Sequence, residues 1–363
     1  MIRPLCGGSL NGTARSAFLH FSFHILIMNK NMTSKSGIWK KMLPGILCSA
    51  VIIGVLIYYV DWNVLREALK NCSWQLFLIL FALQSLSFFC RGMAWRVILD
   101  DAPSRLNAFF TINEGYLLNL LPLRLGEIGR SVIMGGLIGK SPFYVFTTVL
   151  LERIFDVLIT LILLIITIPL LASASFSGTL YYVLFAVLIA GMAFMFWIAG
   201  HQDLFMSFIE KVIKPESKIG QFVLPKIRLL LSGMGILTQP KRFCIWLFWI
   251  LATWACWIVT LRVGLVSFFP GIPFWAGLFT QGIGALGGAI PSAPAGIGVV
   301  EGSYVVALRF FGIDQSSALA FGMVMHGISI ISPVFWGLIG FSVQGLKLTE
   351  VFADTMDKDL TKE

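Results

Sequence analysis

The sequence predicts an all-α, polytopic integral membrane protein, with about six full spans plus two re-entrant helix hairpins. Three observations predict it. Only 12% of the 363 residues are charged and 57% are hydrophobic, with a mean hydropathy of +0.86; a soluble domain carries about 25% charged residues. Several apolar runs reach the ~18–20 residues needed to cross a bilayer core. Two stretches, 119–130 and 290–302, interrupt apolar sequence with proline, glycine and charge.

Residues 1–37 read as a variable or mis-started leader. Its apolar patch, Ala17–Met28, is too short to span, and Met28 or Met32 is as good a start as Met1. His20 and His24 are four apart but lack a nearby carboxylate or cysteine, so no metal is expected. The six cysteines show no CxxC spacing and behave as small hydrophobes. The transmembrane domain is expected over 38–346, with a short cytoplasmic tail at 347–363.

Within that domain the expected spans are Leu43–Val60, Trp74–Ala94, a span opened by Glu152 and running to Ala172, Thr179–Ala199, Phe243–Phe269 and Ser317–Leu346. The last is expected to be interrupted at His326 and Pro333. Between the second and third spans, Ala108–Leu121 stops before Pro122, because a residue preceding proline is pushed out of the helical region. Gly126 and Gly129 then allow irregular backbone, and Ser131–Leu150 resumes a helical pattern. Late in the chain, Phe274–Ile290 and Val299–Phe311 flank a break with Pro291, Pro294, Gly296 and Gly298. Residues 201–242 are strongly basic, with apolar residues at helical spacing. They fit amphipathic helices on the membrane face and a solvated connector equally well.

Cytoplasmic loops collect lysine and arginine. Lys35, Lys40, Lys41 and the 201–242 stretch therefore mark the inside, and the links at 61–73, 173–178 and 270–273 the outside. Both termini are then cytoplasmic and the membrane is the plasma membrane. The arrangement requires each broken element to enter and leave on one side. Two oppositely facing hairpins suggest an inverted repeat. Irregular backbone at membrane depth must be buried or line a cavity. The net charge of +9 sits mostly beside spans, which fits orientation and anionic lipid rather than nucleic acid.

Charge inside a membrane is expensive and marks a partner or a path. The candidates for lipid head-group binding are Arg91, Arg96, Arg124, Glu127, Arg130, Glu152, Arg153, Asp156, Arg262 and Glu301. Glu152 and Asp156 share a helical face, and Arg153 can pair with Asp156. Guanidinium groups suit bidentate contact with phosphate. The competing reading for Arg91, Arg96 and Arg262 is snorkelling or a structural ion pair. His326 is expected to be satisfied by a neighbouring helix.

The run Arg91-Gly92-Met93-Ala94-Trp95-Arg96, then Asn119, Pro122, Arg124, Gly126, Glu127 and Arg130, then Glu152, Arg153 and Asp156, then Pro291, Pro294, Gly296, Gly298 and Glu301 resembles the lysylphosphatidylglycerol synthase transmembrane-domain family. This family is also called flippase-like. Ala295 departs from it, where members commonly carry a second glycine. The resemblance implies a multi-pass domain that moves lipids between leaflets. Bifunctional members add a soluble lysyl-transferase domain, which this chain has no room for, so synthase activity is not carried over. The leading expectation is a translocator of an anionic phospholipid, aminoacyl-phospholipid or lipid-linked precursor, with no cofactor. The alternatives are an integral-membrane transferase, with Glu127, Glu152 or Asp156 as base, or a non-catalytic partner of an envelope-biosynthesis enzyme. A homo-oligomer also fits. No nucleotide-binding motif is present, so direct ATP drive is not expected.

Overall fold

A computed structural model describes residues 73–120, 125–171, 178–289 and 296–344. The expected leader, the span at 43–60, the tail, Pro122, Arg124, Pro291 and Pro294 lie outside the described residues. Those residues form eleven α-helices and two short 3-10 turns, with no strand among them.

Helix α1 (Trp74–Ile98) starts where the Ser73 hydroxyl accepts the Leu76 N–H at 3.2 Å. It ends in a turn in which Asp100 and Asp101 adopt left-handed φ values of 58° and 57°. Helix α2 (Arg105–Leu118) is capped in the same way by Ser104. Helix α3 (Gly126–Ile138) stops at Gly139, whose φ is 66°. Ser141 then caps α4 (Pro142–Thr167), with Pro142 in the first turn, where its missing N–H costs nothing. Glu152 therefore does not open a span. The helix begins a good two turns earlier, because the left-handed glycine, the serine cap and the proline together mark a boundary at 139–142. The acidic residues sit mid-helix.

Helix α5 (Gly178–Gly200) is followed by α6 (Gln202–Val212), and the two are bent by 94° at His201. Helix α7 (Lys218–Gly233) packs on α6 through Met206, Leu224 and Leu231. The basic connection is thus helical. Leu204, Phe208 and Val212 form an exposed apolar stripe at four-residue spacing on α6.

Helix α8 (Pro240–Phe268), α9 (Phe274–Ala289), α10 (Val299–Arg309) and α11 (Gln315–Val343) complete the order. Asp314 caps α11 by accepting the Ser317 N–H at 3.0 Å. Helix α11 is not interrupted at His326 or Pro333. It runs through both, since a membrane helix tolerates proline where neighbours satisfy the freed backbone. Among the described residues three helices, α1, α8 and α11, are long and apolar enough to cross a membrane, or up to four if the bent α5–α6 pair is one span.

The helices fall into two sets of the same order. In each, a long helix is followed by two short ones that pack on each other, and then by a second long helix: α1–α4 and α8–α11. The sets interlock. Helix α1 packs along α8, α2 against α11, and α9 against α4. At α1–α4–α8 the core is aromatic, with Trp95, Trp246 and Phe155 buried and the Phe155 and Trp246 rings 4.5 Å apart. Helices α1 and α11 are tied by Trp336 donating to the Ser85 hydroxyl at 2.9 Å. The short helices α2 and α3 have 14 and 13 residues, about 20 Å each at 1.5 Å per residue. Neither reaches across a hydrocarbon core ~30 Å thick.

Candidate functional site

The start of α3 lies against the end of α2. The Gly126 N–H donates to Asn119 Oδ1 at 2.9 Å. A Cβ on Gly126 would run into the Gly115 carbonyl and the Asn119 side chain, so only glycine allows this approach. The first turn of α3 then carries Glu127, where the helix N-terminus favours a carboxylate, and Arg130 follows one turn later.

These two meet charges from α1 and α4. Arg91 donates through Nη1 to Asp156 Oδ1 at 2.8 Å and through Nη2 to Oδ2 at 2.7 Å, a bidentate pair. Glu152 Oε2 lies 3.4 Å from Arg91 Nη2 and 3.0 Å from Arg130 Nη2, so one carboxylate oxygen bridges two guanidinium groups. Arg153 lies 2.6 Å from Glu127 and 3.2 Å from Asp156. Three arginines and three acids thus form one continuous network of zero formal charge. Arg91 and Glu152 are fully buried, and Arg130 is 2% exposed. Glu127 and Arg153, with side-chain exposures of 32% and 35%, form its open edge.

Tryptophans line the network. The Trp254 indole donates to Asp156 Oδ1 at 3.2 Å. The Arg91 guanidinium lies over Trp257 at 5.7 Å, and that of Arg130 over Trp95 at 5.0 Å. Trp95 is fixed by donating to Thr148 Oγ1 at 3.0 Å. Several polar atoms stay unsatisfied among the described residues: Arg130 Nε and Nη1, Arg91 Nε and Glu152 Oε1. A buried donor without an acceptor carries a penalty of about 1–3 kcal/mol, more for charged groups. Arg130 therefore keeps unused donor capacity on Nε and Nη1.

Of the residues singled out in the sequence, Arg91, Glu127, Arg130, Glu152, Arg153 and Asp156 come together. Arg96 and Arg262 do not join them. Arg96 donates to the Pro103 carbonyl at 2.9 Å and pairs with Asp101 at 3.2 Å. It lines a groove of about 440 Å³ with Arg105, Arg242, Phe89 and Trp249. Arg262 donates to the Ile272 and Pro273 carbonyls at 2.9 and 3.1 Å. Each therefore clamps the turn that leads from a long helix into a short one, at corresponding places in the two sets. Glu301 belongs to the second set. It accepts the Gly298 N–H at 2.7 Å and lies 2.8 Å from His326 Nδ1. Gly296 and Gly298 have φ of 79° and 89°, which favours glycine at both. Reasoning from sequence missed Trp254, Trp257 and Thr148. The two tryptophans, three apart on one face of an apolar span, were the available signal.

A helical membrane protein that buries a neutral arginine–carboxylate network beside a broken helix pair is the class defined by this fold and site. Residues 42–337 match the family described as Lysylphosphatidylglycerol synthase TM region, and the chain belongs to that family. A curated relative from Methanocaldococcus jannaschii, described as UPF0104 membrane protein MJ1078, is 24% identical over 229 residues, covering 63% of this chain and 94% of the relative. No solved structure matches.

Proposed function

We propose that this protein moves a lipid with an anionic head group between the leaflets of the plasma membrane. The lipid is an anionic phospholipid, an aminoacyl-phospholipid or a lipid-linked precursor. The head group travels along the polar network while the acyl chains stay in the bilayer. The observation that carries this reading is Arg130, buried to 2% exposure with two guanidinium nitrogens, Nε and Nη1, that find no acceptor. A phosphate oxygen supplies the missing acceptors. The carboxylates hold the arginines when no lipid is present, since an uncompensated cation at that depth costs several kcal/mol. Glu127, Glu152 and Asp156 are each occupied by a guanidinium group, which argues against a base and so against the transferase alternative.

Two re-entrant hairpins, α2–α3 and α9–α10, within two inverted repeats and about six spans, complete the proposed architecture. The repeated helix order and the reciprocal packing of α2 on α11 and α9 on α4 support it. In this reading α6 and α7 lie on the cytoplasmic surface of the bilayer, supported by the 94° bend before α6, its exposed apolar stripe, and exposed Lys211 and Lys214.

The test is reconstitution in liposomes with fluorescent phosphatidylglycerol, reading leaflet exchange by dithionite quenching. Wild type exchanges the lipid. Arg130→Gln slows exchange about tenfold or more, from ~1.5–3 kcal/mol for a hydrogen bond to a charged group. Exchange at the wild-type rate in Arg130→Gln refutes the reading, and a covalently altered lipid indicates a transferase instead.

A further inference from the structure

In the first set of helices, Glu127 in the first turn of α3 meets Arg153 on the long helix that follows, at 2.6 Å. In the second set, Glu301 in the first turn of α10 meets His326 on the long helix that follows, at 2.8 Å. The two pairs hold the same place in the repeated order of helices. They differ in one property. Arginine keeps its charge at every accessible pH, whereas imidazole gains and loses a proton between about pH 5 and 8. The first pair is a permanent ion pair, and the second is one only when the imidazole is protonated.

The second pair is also the more enclosed. The His326 and Glu301 side chains are 6% and 9% exposed, against about a third for Arg153 and Glu127. Among the described residues, Tyr304 on α10 interacts electrostatically with Glu301, and the same helix carries Arg309 in its last turn. Helix α9 carries no ionisable side chain. Helix α2 brings Glu114 to Gly340, several turns further along α11. Arg91 of α1 is bound to Asp156 and Glu152, and Arg262 of α8 to the turn carbonyls. Gly298, held by Glu301 and sitting at φ 89°, couples the pair to the broken backbone.

We infer that Glu301 and His326 form a proton-binding site that couples lipid movement to a proton gradient. The pair takes one proton from water on one side of the membrane, becoming imidazolium–carboxylate, and releases it to water on the other side. No covalent bond changes. The inference rests on the translocator reading above and adds its driving ion, using chemistry a buried histidine–carboxylate pair supplies in membrane transport proteins.

The experiment uses the full chain in phosphatidylcholine vesicles containing fluorescent phosphatidylglycerol, with the membrane potential clamped by potassium and valinomycin and a gradient of one pH unit imposed. One proton per lipid allows up to about a tenfold bias in leaflet distribution. Wild type is expected to shift the distribution at least about threefold beyond protein-free vesicles, within that tenfold limit. The shift disappears with an uncoupler and in His326→Arg, which installs the permanent cation of the first set. An even distribution in wild type, or a gradient response retained in His326→Arg, overturns the inference while leaving translocation standing. Where wild type moves no lipid, the translocator reading fails, and detergent melts between pH 5.5 and 8 decide about the site itself. A proton-binding pair makes the melting-temperature difference between wild type and His326→Arg vary with pH. A constant difference overturns it.

Discussion

Replacing Asp156 with asparagine removes one charge from the network and almost none of its shape. In wild type the carboxylate takes two hydrogen bonds from Arg91, at 2.8 and 2.7 Å, one from Arg153 at 3.2 Å and one from Trp254 at 3.2 Å. Asparagine keeps one acceptor oxygen. Three guanidinium groups then face only two carboxylates, Glu127 and Glu152, and Arg91, with no exposed surface, keeps Glu152 at 3.4 Å as its one carboxylate. Breaking a buried pair from one side costs about 3–5 kcal/mol, most of it the stranded charge. The assay is equilibrium unfolding in mixed detergent, followed by tryptophan fluorescence. Asp156→Asn is predicted to lose about 3–5 kcal/mol, and Arg91→Gln a similar amount. The double variant should lose less than the sum by ~1–3 kcal/mol, since it strands no partner. The exposed Arg228–Glu210 pair, 2.7 Å apart, serves as the comparison and should contribute under about 1 kcal/mol. Asp156→Asn behaving like Arg228→Gln would refute the idea that the network is desolvated and mutually dependent.

Other predictions follow from single contacts. Gly126→Ala should lower folded yield and cost about 1–3 kcal/mol, because the added methyl meets the Gly115 carbonyl; size-exclusion profiles of a fluorescent fusion report it. Trp95→Phe removes the bond to Thr148 and part of the face under Arg130. It should cost about 1–2 kcal/mol in the same unfolding assay. Asp314→Ala should cost about 1 kcal/mol as a lost helix cap. The hydrogen bonds at Ser317 hold the Asp314 carboxyl below its ordinary value. Its stabilising effect is therefore complete above the ordinary carboxylate range and fades as pH falls through the lowered value. The difference between wild type and Asp314→Ala should shrink on acidification.

Composition and apolar run length were enough to read the helical class, because a bilayer sets both the charge content and the length of its helices. The residues of the network were legible for a related reason: charge within apolar sequence is costly, so its presence signals a partner. Their grouping was not. Arg91 and Arg96 are five apart on one helix and look alike in sequence, yet one faces Asp156 and the other the Pro103 carbonyl. That division depends on which face of α1 meets α4, a tertiary property. The start of α4 was misplaced because charge was taken as a boundary signal, when Ser141 and Pro142 carried it. Pro333 was over-weighted as a break for the converse reason, since tertiary neighbours rescue proline in a membrane helix.

The repeated helix order gives Arg96 and Arg262 corresponding positions, outside the site. Each fastens the turn that sets the angle of a following short helix, α2 in one case and α9 in the other. Those short helices in turn carry the breaks at which Glu127 and Glu301 begin new helices.

Whether lipid phosphate reaches Arg130 is open to direct measurement by solid-state NMR, using 15N-arginine protein in bilayers containing phosphatidylglycerol. A dipolar contact between 31P and a guanidinium nitrogen, present in wild type and lost in Arg130→Lys, is the predicted result. No contact in wild type, or a contact that persists unchanged in Arg130→Lys, would contradict head-group binding at the network.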